Sequence, residues 1–340
     1  MKTMLAGAAL AALLGAAAQP LQAETVLRYS NWLPTGHLIL EHAIDPFIAE
    51  VEARTEGRVR IETPPKVIGS VAGQYDAAVD GLADLAFIIM GYTPGRFPLS
   101  EVVELPFIGD DPEAVSVAYW RVYQERLERY GEFKGVKLLG LSVASPAQIV
   151  TRSAPAASLA DLQGLKMRNP IASFIPAAEA MGTVPINKPI SELYELAASG
   201  VVDGAFAPLD SQKSFNLMEV LPYVTLVEGG LFSPGLAFVM NIDSWNALDP
   251  ADQRIVMEAA GETWARAVGR NYALNDQVAR REMEAREGTL VQAASPELMA
   301  DLHRRLAFVR AAWIEKATAA GVEDAAGVAD ALSAAVAAAK

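Results

Sequence analysis

Short runs of β-branched and aromatic residues alternate along this chain with stretches whose apolar positions recur at helical spacing. Residues 25–30, Thr-Val-Leu-Arg-Tyr-Ser, read as a strand, and the turn 31–36 follows. Asp45-Pro46 predicts a helix start, with Asp as N-cap and Pro at the first helical position. Phe47, Ile48 and Val51 share one face of that helix, and Gly57 closes it. A second strand falls at 59–61, and a short helix at 74–79 ends at Gly81. The apolar run 84–90 has the pattern of a strand covered on both faces of a parallel sheet. The middle of the chain repeats this order: a strand at 165–168, a helix over 174–181, a strand at 183–186, a helix over 191–198, and a strand entered through 201–206. Strand and helix alternating in both halves predicts two α/β lobes.

Past Trp245 the period becomes helical. Asp249-Pro250 opens a helix predicted to run to about residue 287, with Val256, Ala260, Trp264, Val268 and Tyr272 on one stripe. Glu258, Glu262, Arg266 and Arg270 form a ladder on another face, acids preceding bases. Such a helix would be roughly 55 Å long, more than the width of one small domain, so it is expected to span both lobes. A further helix is expected over 296–319, and the Ala-rich tail after Gly321 as a last, loosely held helix.

The opening residues carry a different signal. Lys2 precedes an apolar stretch over 5–18, and Leu21-Gln22-Ala23 ends it just before Glu24, the form of a secretory signal peptide cut after Ala23. The stretch is short for a membrane anchor. The chain is therefore expected in the periplasm. Its 340 residues are 52% hydrophobic, enough for more than one core. With 0 Cys it has no thiol chemistry and no Cys-ligated metal site. A net charge of −13 disfavours nucleic acid and anionic lipid as partners. It leaves an anionic ligand open, because salt screens distant surface charge from an arginine in a desolvated cleft.

Catalytic and metal motifs are absent. His37, His42 and His303 fit no zinc-helix spacing, and dinucleotide glycines, a P-loop, a nucleophile elbow and an EF-hand loop are missing. A carboxylate pair of glycosidase type stays open on counting alone, although most acids lie on faces that read as solvated. The balance favours binding over catalysis, without cofactor or metal.

Four segments, in this order, carry a resemblance: 51–59 (Val-Glu-Ala-Arg-Thr-Glu-Gly-Arg-Val); 92–99 (Tyr-Thr-Pro-Gly-Arg-Phe-Pro-Leu) with Glu104-Leu105-Pro106-Phe107; 161–168 (Asp-Leu-Gln-Gly-Leu-Lys-Met-Arg); and Glu192-Leu193-Tyr194-Glu195 with Gly200-Val201-Val202-Asp203-Gly204. Val239-Met240-Asn241 and Trp245-Asn246 add to them. Together, across nearly the whole mature chain, they resemble the DctP-type receptors of tripartite ATP-independent periplasmic (TRAP) transporters. The resemblance implies a two-lobed periplasmic-binding-protein fold with a ligand cleft between the lobes and a long helix crossing both. It also implies a small organic acid as ligand and two integral membrane subunits as partners. On this basis lobe I is expected over 24–147 plus about 239–265, lobe II over 148–238, the spanning helix over 250–287 and C-terminal helices over 295–340, in a monomer. Service to a sensor or another transporter, or an exported enzyme on the same scaffold, are the competing readings; the enzyme would need a reactive pair facing the cleft.

Arg168 matches the family arginine that pairs with the ligand carboxylate, a task suited to the planar guanidinium fork; the bland alternative is a surface arginine at a strand end. Trp32 and Tyr92 lie in loops after strands, where clefts form in open α/β sheets, and either face the ligand or pack the domain edge. Gln148 either meets ligand or holds the hinge. Phe174 and Phe206 either wall the cleft or belong to the core. Where some relatives carry a second arginine this chain reads Ser145-Pro146-Ala147-Gln148, and Gly204 is followed by Ala205-Phe206-Ala207-Pro208 rather than polar residues. Both departures point to a ligand with one carboxylate and an apolar or aromatic body.

Overall fold

A computed structural model describes residues 24–339, so the expected leader over 1–23 lies outside the described residues. In the first lobe β1 (Thr25–Ser30), β2 (Val59–Glu62) and β3 (Leu85–Ile89) are parallel and are linked by α1 (Asp45–Arg54) and α2 (Gln74–Val79). Two later strands, β4 (Val136–Val143) and β10 (Gly235–Asn241), complete a sheet of order β2-β1-β3-β10-β4. Every residue of β10 is buried, and it runs antiparallel to both β3 and β4. The run at 84–90 is thus a central strand of a mixed sheet rather than a parallel one: an antiparallel neighbour covered on both faces leaves the same continuous apolar signature.

The second lobe is built on β5 (Ala147–Thr151), β6 (Lys166–Asn169), β7 (Val184–Asn187), β8 (Gly204–Pro208), β9 (Tyr223–Leu226) and β11 (Leu290–Ala293), in the order β11-β9-β5-β8-β6-β7. Short helices α4 (Ile175–Ala180), α5 (Leu193–Ala198) and α6 (Ser211–Ser214) connect them. Residues 144–146 carry the chain from the first sheet into the second, and residues 227–234 bring it back. The two crossings are bonded side by side: Ala147 N–H donates to Phe232 O at 2.7 Å, and Ala144 N–H to Pro234 O at 3.0 Å.

After α7 (Ile242–Ala247) the expected continuous helix is broken in two, α8 (Pro250–Ala259) and α9 (Gly261–Ala285). Ala260 leaves helical geometry at φ −92° and ψ −141°, and Gly261 takes φ +57°, a left-handed conformation that glycine adopts without steric cost. The stripe from Val256 to Tyr272 is buried, as its spacing requires, but a period says nothing of a single left-handed residue inside it. The 25 residues of α9 rise roughly 38 Å. That is enough for Trp264, Val268 and Tyr272 to pack in the first lobe and Ala279 and Met283 in the second. The Glu/Arg ladder is drawn across to neighbouring helices. Glu262 accepts from Arg121 at 2.7 Å as well as from Arg266 at 3.0 Å, and Arg270 turns to Glu113 at 3.1 Å.

The predicted helix over 296–319 is likewise two, α10 (Pro296–Leu306) and α11 (Phe308–Ala319). The first packs in the second lobe through Leu298, Leu302 and Leu306; the second returns to the first lobe through Trp313 and Ala317. The Ala-rich tail, α12 (Ala325–Ala338), is not loosely held. Val328, Leu332 and Val336 are buried in the first lobe, beside α3 (Pro112–Val122). Small alanines let α12 approach closely, which a hydrophobicity pattern alone does not distinguish from weak packing.

Candidate functional site

The two sheets bring one end of their parallel strands to a common cleft. The loop after β1 contributes Trp32, Leu33 and His37, and the end of β3 and the turn beyond it contribute Ile89 and Tyr92. From the second lobe come Arg168 and Pro170 at the end of β6, and Asp210 and Phe215 beyond β8. Tyr272 on α9 closes the base, with Ala144 and Pro234 of the two crossings. Placement at strand C-terminal ends is the general position for ligands in open α/β sheets.

Arg168 is the centre of this arrangement. It pairs in β6 with Ile186 of β7 and Ala205 of β8, and the residue is 1% exposed. Its Nε–H donates to Lys188 O at 2.8 Å, and one terminal nitrogen donates to the Tyr92 hydroxyl at 3.4 Å. That hydroxyl also accepts from Ile190 N–H at 2.9 Å, so a first-lobe tyrosine is bonded to two groups of the second lobe. Among the described residues no carboxylate lies within ion-pair distance of Arg168; Glu192 is engaged by Lys188 Nζ at 3.0 Å. Burial draws the guanidinium pKa down, and Tyr92 and Glu192 partly oppose it. A guanidinium nonetheless stays charged at any physiological pH. The result is a desolvated positive charge without a protein counter-ion, which an incoming anion would satisfy.

The remaining walls are mostly apolar. Trp32 stacks on Phe87 with ring centroids 6.1 Å apart, and its Nε1–H donates to Phe87 O at 2.7 Å, which fixes the indole. His37 packs against Phe215 and accepts from Ile39 N–H through Nδ1 at 3.2 Å. Burial lowers its pKa to about 4, so the ring is neutral at pH 7. With Nδ1 accepting, its proton sits on Nε2.

Arg168, Trp32 and Tyr92 are brought together, and Arg168 is not a surface residue. Gln148, Phe174 and Phe206 are not among the residues lining the cleft. Gln148 spans the two crossings, its Oε1 accepting from Val227 N–H at 2.6 Å and its Nε2 donating to Pro146 O at 3.1 Å. Phe174 and Phe206 pack on each other at 5.4 Å in the second-lobe core, with Phe232 4.5 Å from Phe174. Phe206 lies in mid β8 with its ring in that core, while Pro208, two residues further on, lines the cleft.

His37, Asp210, Phe215 and Tyr272 also line the cleft and were not legible as doing so. His37 shares a post-strand loop with Trp32, a signal that was available; a search of histidines for metal spacing passes over it. Tyr272 ends an apolar helical stripe and reads as core. No group of three or more histidine, aspartate and glutamate residues is arranged to hold a metal among the described residues.

Comparison with known proteins places this geometry. Residues 29–314 match the bacterial extracellular solute-binding protein family 7, DctP. A TRAP periplasmic solute-binding protein of Bordetella bronchiseptica, solved with bound (R)- and (S)-mandelate, is 34% identical, with a TM-score of 0.88 over 92% of this chain and 98% of that one. A TRAP solute-binding protein of Rhodoferax ferrireducens, solved with copurified benzoate, is 28% identical, with a TM-score of 0.86 over 93% of this chain and 98% of the other. The C4-dicarboxylate-binding periplasmic protein of Rhodobacter capsulatus is 31% identical over 64% of this chain and 61% of its own.

Proposed function

The chain belongs to the bacterial extracellular solute-binding protein family 7, and on that premise we propose that it captures a small aromatic monocarboxylate in the periplasm and delivers it to the membrane subunits of a TRAP transporter. In this reading it acts as a monomer, exported by a leader cut after Ala23, and it binds its acid without transforming it. The observation that carries the proposal is Arg168, a buried guanidinium with no carboxylate partner among the described residues, set among rings.

Arg168 offers a forked donor to one carboxylate, the geometry in which charge-assisted hydrogen bonds are strongest. A ring buried against Trp32, Phe215 and Tyr272 would remove on the order of 150 Å² of apolar surface from water, worth roughly 4 kcal/mol. A dicarboxylate fits less well, because among the described residues Arg168 is the one Arg or Lys lining the cleft. Lys188, the next cation in the chain, is half exposed and paired with Glu192. A second carboxylate would enter without a partner, at a cost of several kcal/mol. The mandelate and benzoate of the two solved relatives have the chemistry this cleft favours.

A thermal-shift panel tests the proposal. Benzoate and mandelate are expected to raise the melting temperature by several degrees at concentrations well above Kd, and succinate and glucuronate by far less. Stabilisation by succinate alone would overturn it.

A further inference from the structure

We infer that Asp210 is a second polar anchor of the cleft, one that hydrogen-bonds a hydroxyl on the body of the acid, so that the preferred ligand is a hydroxy-substituted aromatic monocarboxylate. The inference rests on the reading of the cleft as an acid-binding site and adds to it a residue and a ligand class.

Asp210 sits between β8 and α6, is 2% exposed and lines the cleft. Its Oδ1 is buried and has no hydrogen-bond partner among the described residues. Gln212 and Asn275, in the elements around it, also have unpartnered buried atoms, but neither lines the cleft. Among the described residues Asp210 is the one lining the cleft with such an atom. Buried polar atoms are nearly always bonded, so an orphan on a cleft-lining residue is best explained by the ligand.

The arrangement around it defines what it would bind. Asp276 on α9 accepts the Asp210 backbone N–H through Oδ1 at 2.8 Å, which holds two carboxyl groups near each other. Burial, then the Asp276 charge, push the Asp210 pKa well above the usual carboxylate range, and desolvation raises Asp276 to about 6. Both shifts favour the protonated form, more so on Asp210, so the pair holds a proton more readily than free carboxylates do. A carboxylic acid donates through O–H and accepts through C=O, which complements a hydroxyl that does both. The charge left on Asp276 opposes a second carboxylate on the ligand. Tyr272 lies within electrostatic reach of both Asp210 and Tyr92, and Tyr92 touches Arg168, so the two anchors belong to one chamber.

Calorimetry on the purified chain with benzoate, 3-hydroxybenzoate, mandelate and phenylglycine tests this in wild type, Asp210→Ala and Asp210→Asn. Wild type is expected to bind at least one of the two hydroxy acids about tenfold more tightly than benzoate. Asp210→Ala should erase that preference, weakening the hydroxy acids about tenfold more than benzoate, and Asp210→Asn, which still donates and accepts, should keep most of it. Equal weakening of all acids by Asp210→Ala, or no preference in wild type, would overturn the role of Asp210 while leaving the cleft an acid site. A preference for phenylglycine lost in both variants would show a cation partner and overturn the hydroxyl assignment. Failure of wild type to bind any of the four would overturn the reading of the cleft as well.

Discussion

Glu104 shows how much a single buried group can set. It stands in the first lobe, 5% exposed, and its Oε2 accepts from the Ser173 hydroxyl of the second lobe at 2.6 Å. Its Oε1 lies 3.5 Å from the Gly235 N–H, and the charged groups acting on it are Glu101 and Lys316. Burial lifts its pKa from 4.5 to about 8, with Glu101 adding and the hydrogen bonds and Lys316 opposing. A carboxyl whose pKa rises on folding holds its proton more tightly in the folded chain. Its stabilising effect is full below pH 4.5 and is lost as pH climbs towards 8. Glu104→Gln mimics the protonated form. It is expected to leave the melting temperature at pH 5 nearly unchanged and to raise stability at pH 8.5 by roughly 1–2 kcal/mol. Melting curves at the two pH values check it; equal shifts at both would count against the assignment. Buried His37 acts in the opposite sense: its pKa falls from 6.5 to about 4, so stability is lost as pH drops through that window. At this scale Arg168 was readable because its motif fixes its register, and Trp32 and Tyr92 because they follow strands. Phe174 and Phe206, open between wall and core, are both in the second-lobe core, one in the turn before α4 and the other in mid β8, because residue spacing does not tell how far behind the strand ends a ring lies.

Elements with clear punctuation were placed closely, as α2 at Gln74–Val79. Asp45 is not the N-cap its sequence suggests: residues 40–44 already form a π-helical turn that runs into α1, and Asp45 is itself helical at φ −61° and ψ −43°. Elements with no punctuation were missed. Helix α3 is nearly all buried, between the first sheet and helices α9 and α12, so it has no polar face to betray its period. The break at Gly261 was missed because one glycine in a helical stripe is usually tolerated. The tail was misjudged for a related reason, since alanine is a weak hydrophobic signal yet permits close packing. Leu332, fully buried in α12, gives the test. Leu332→Ala is expected to cost roughly 2–4 kcal/mol in denaturant unfolding. A cost below about 0.5 kcal/mol would show a helix that contributes little.

For the whole molecule the question is how two lobes close on a ligand. They meet beside Arg168, where Gly91 after β3 faces Ile171 after β6. A Cβ on Gly91 would lie 2.1 Å from Ile171 Cγ2 and 3.2 Å from its Cα, so a side chain there would oppose this closed arrangement. The φ of Gly91 is not in the positive range, and an alanine would be tolerated with the lobes apart. Gly91→Ala is therefore expected to melt like wild type without ligand and to bind benzoate about tenfold or more weakly, because its binding-competent state is rarer. X-ray scattering is expected to show ligand-induced compaction in wild type and less in the variant. Equal compaction in both would remove the contact from the closing mechanism.

The central claim is that the buried, unpaired charge of Arg168 holds the carboxylate of the ligand. Its most direct test is calorimetric titration of benzoate into wild type and Arg168→Ala, with circular dichroism and melting curves to establish that the variant is folded. The prediction is a loss of at least about 100-fold in affinity, near 3 kcal/mol, in a variant as stable as wild type or more so, since it no longer buries a lone charge. A folded Arg168→Ala chain that binds benzoate with near wild-type affinity would contradict it.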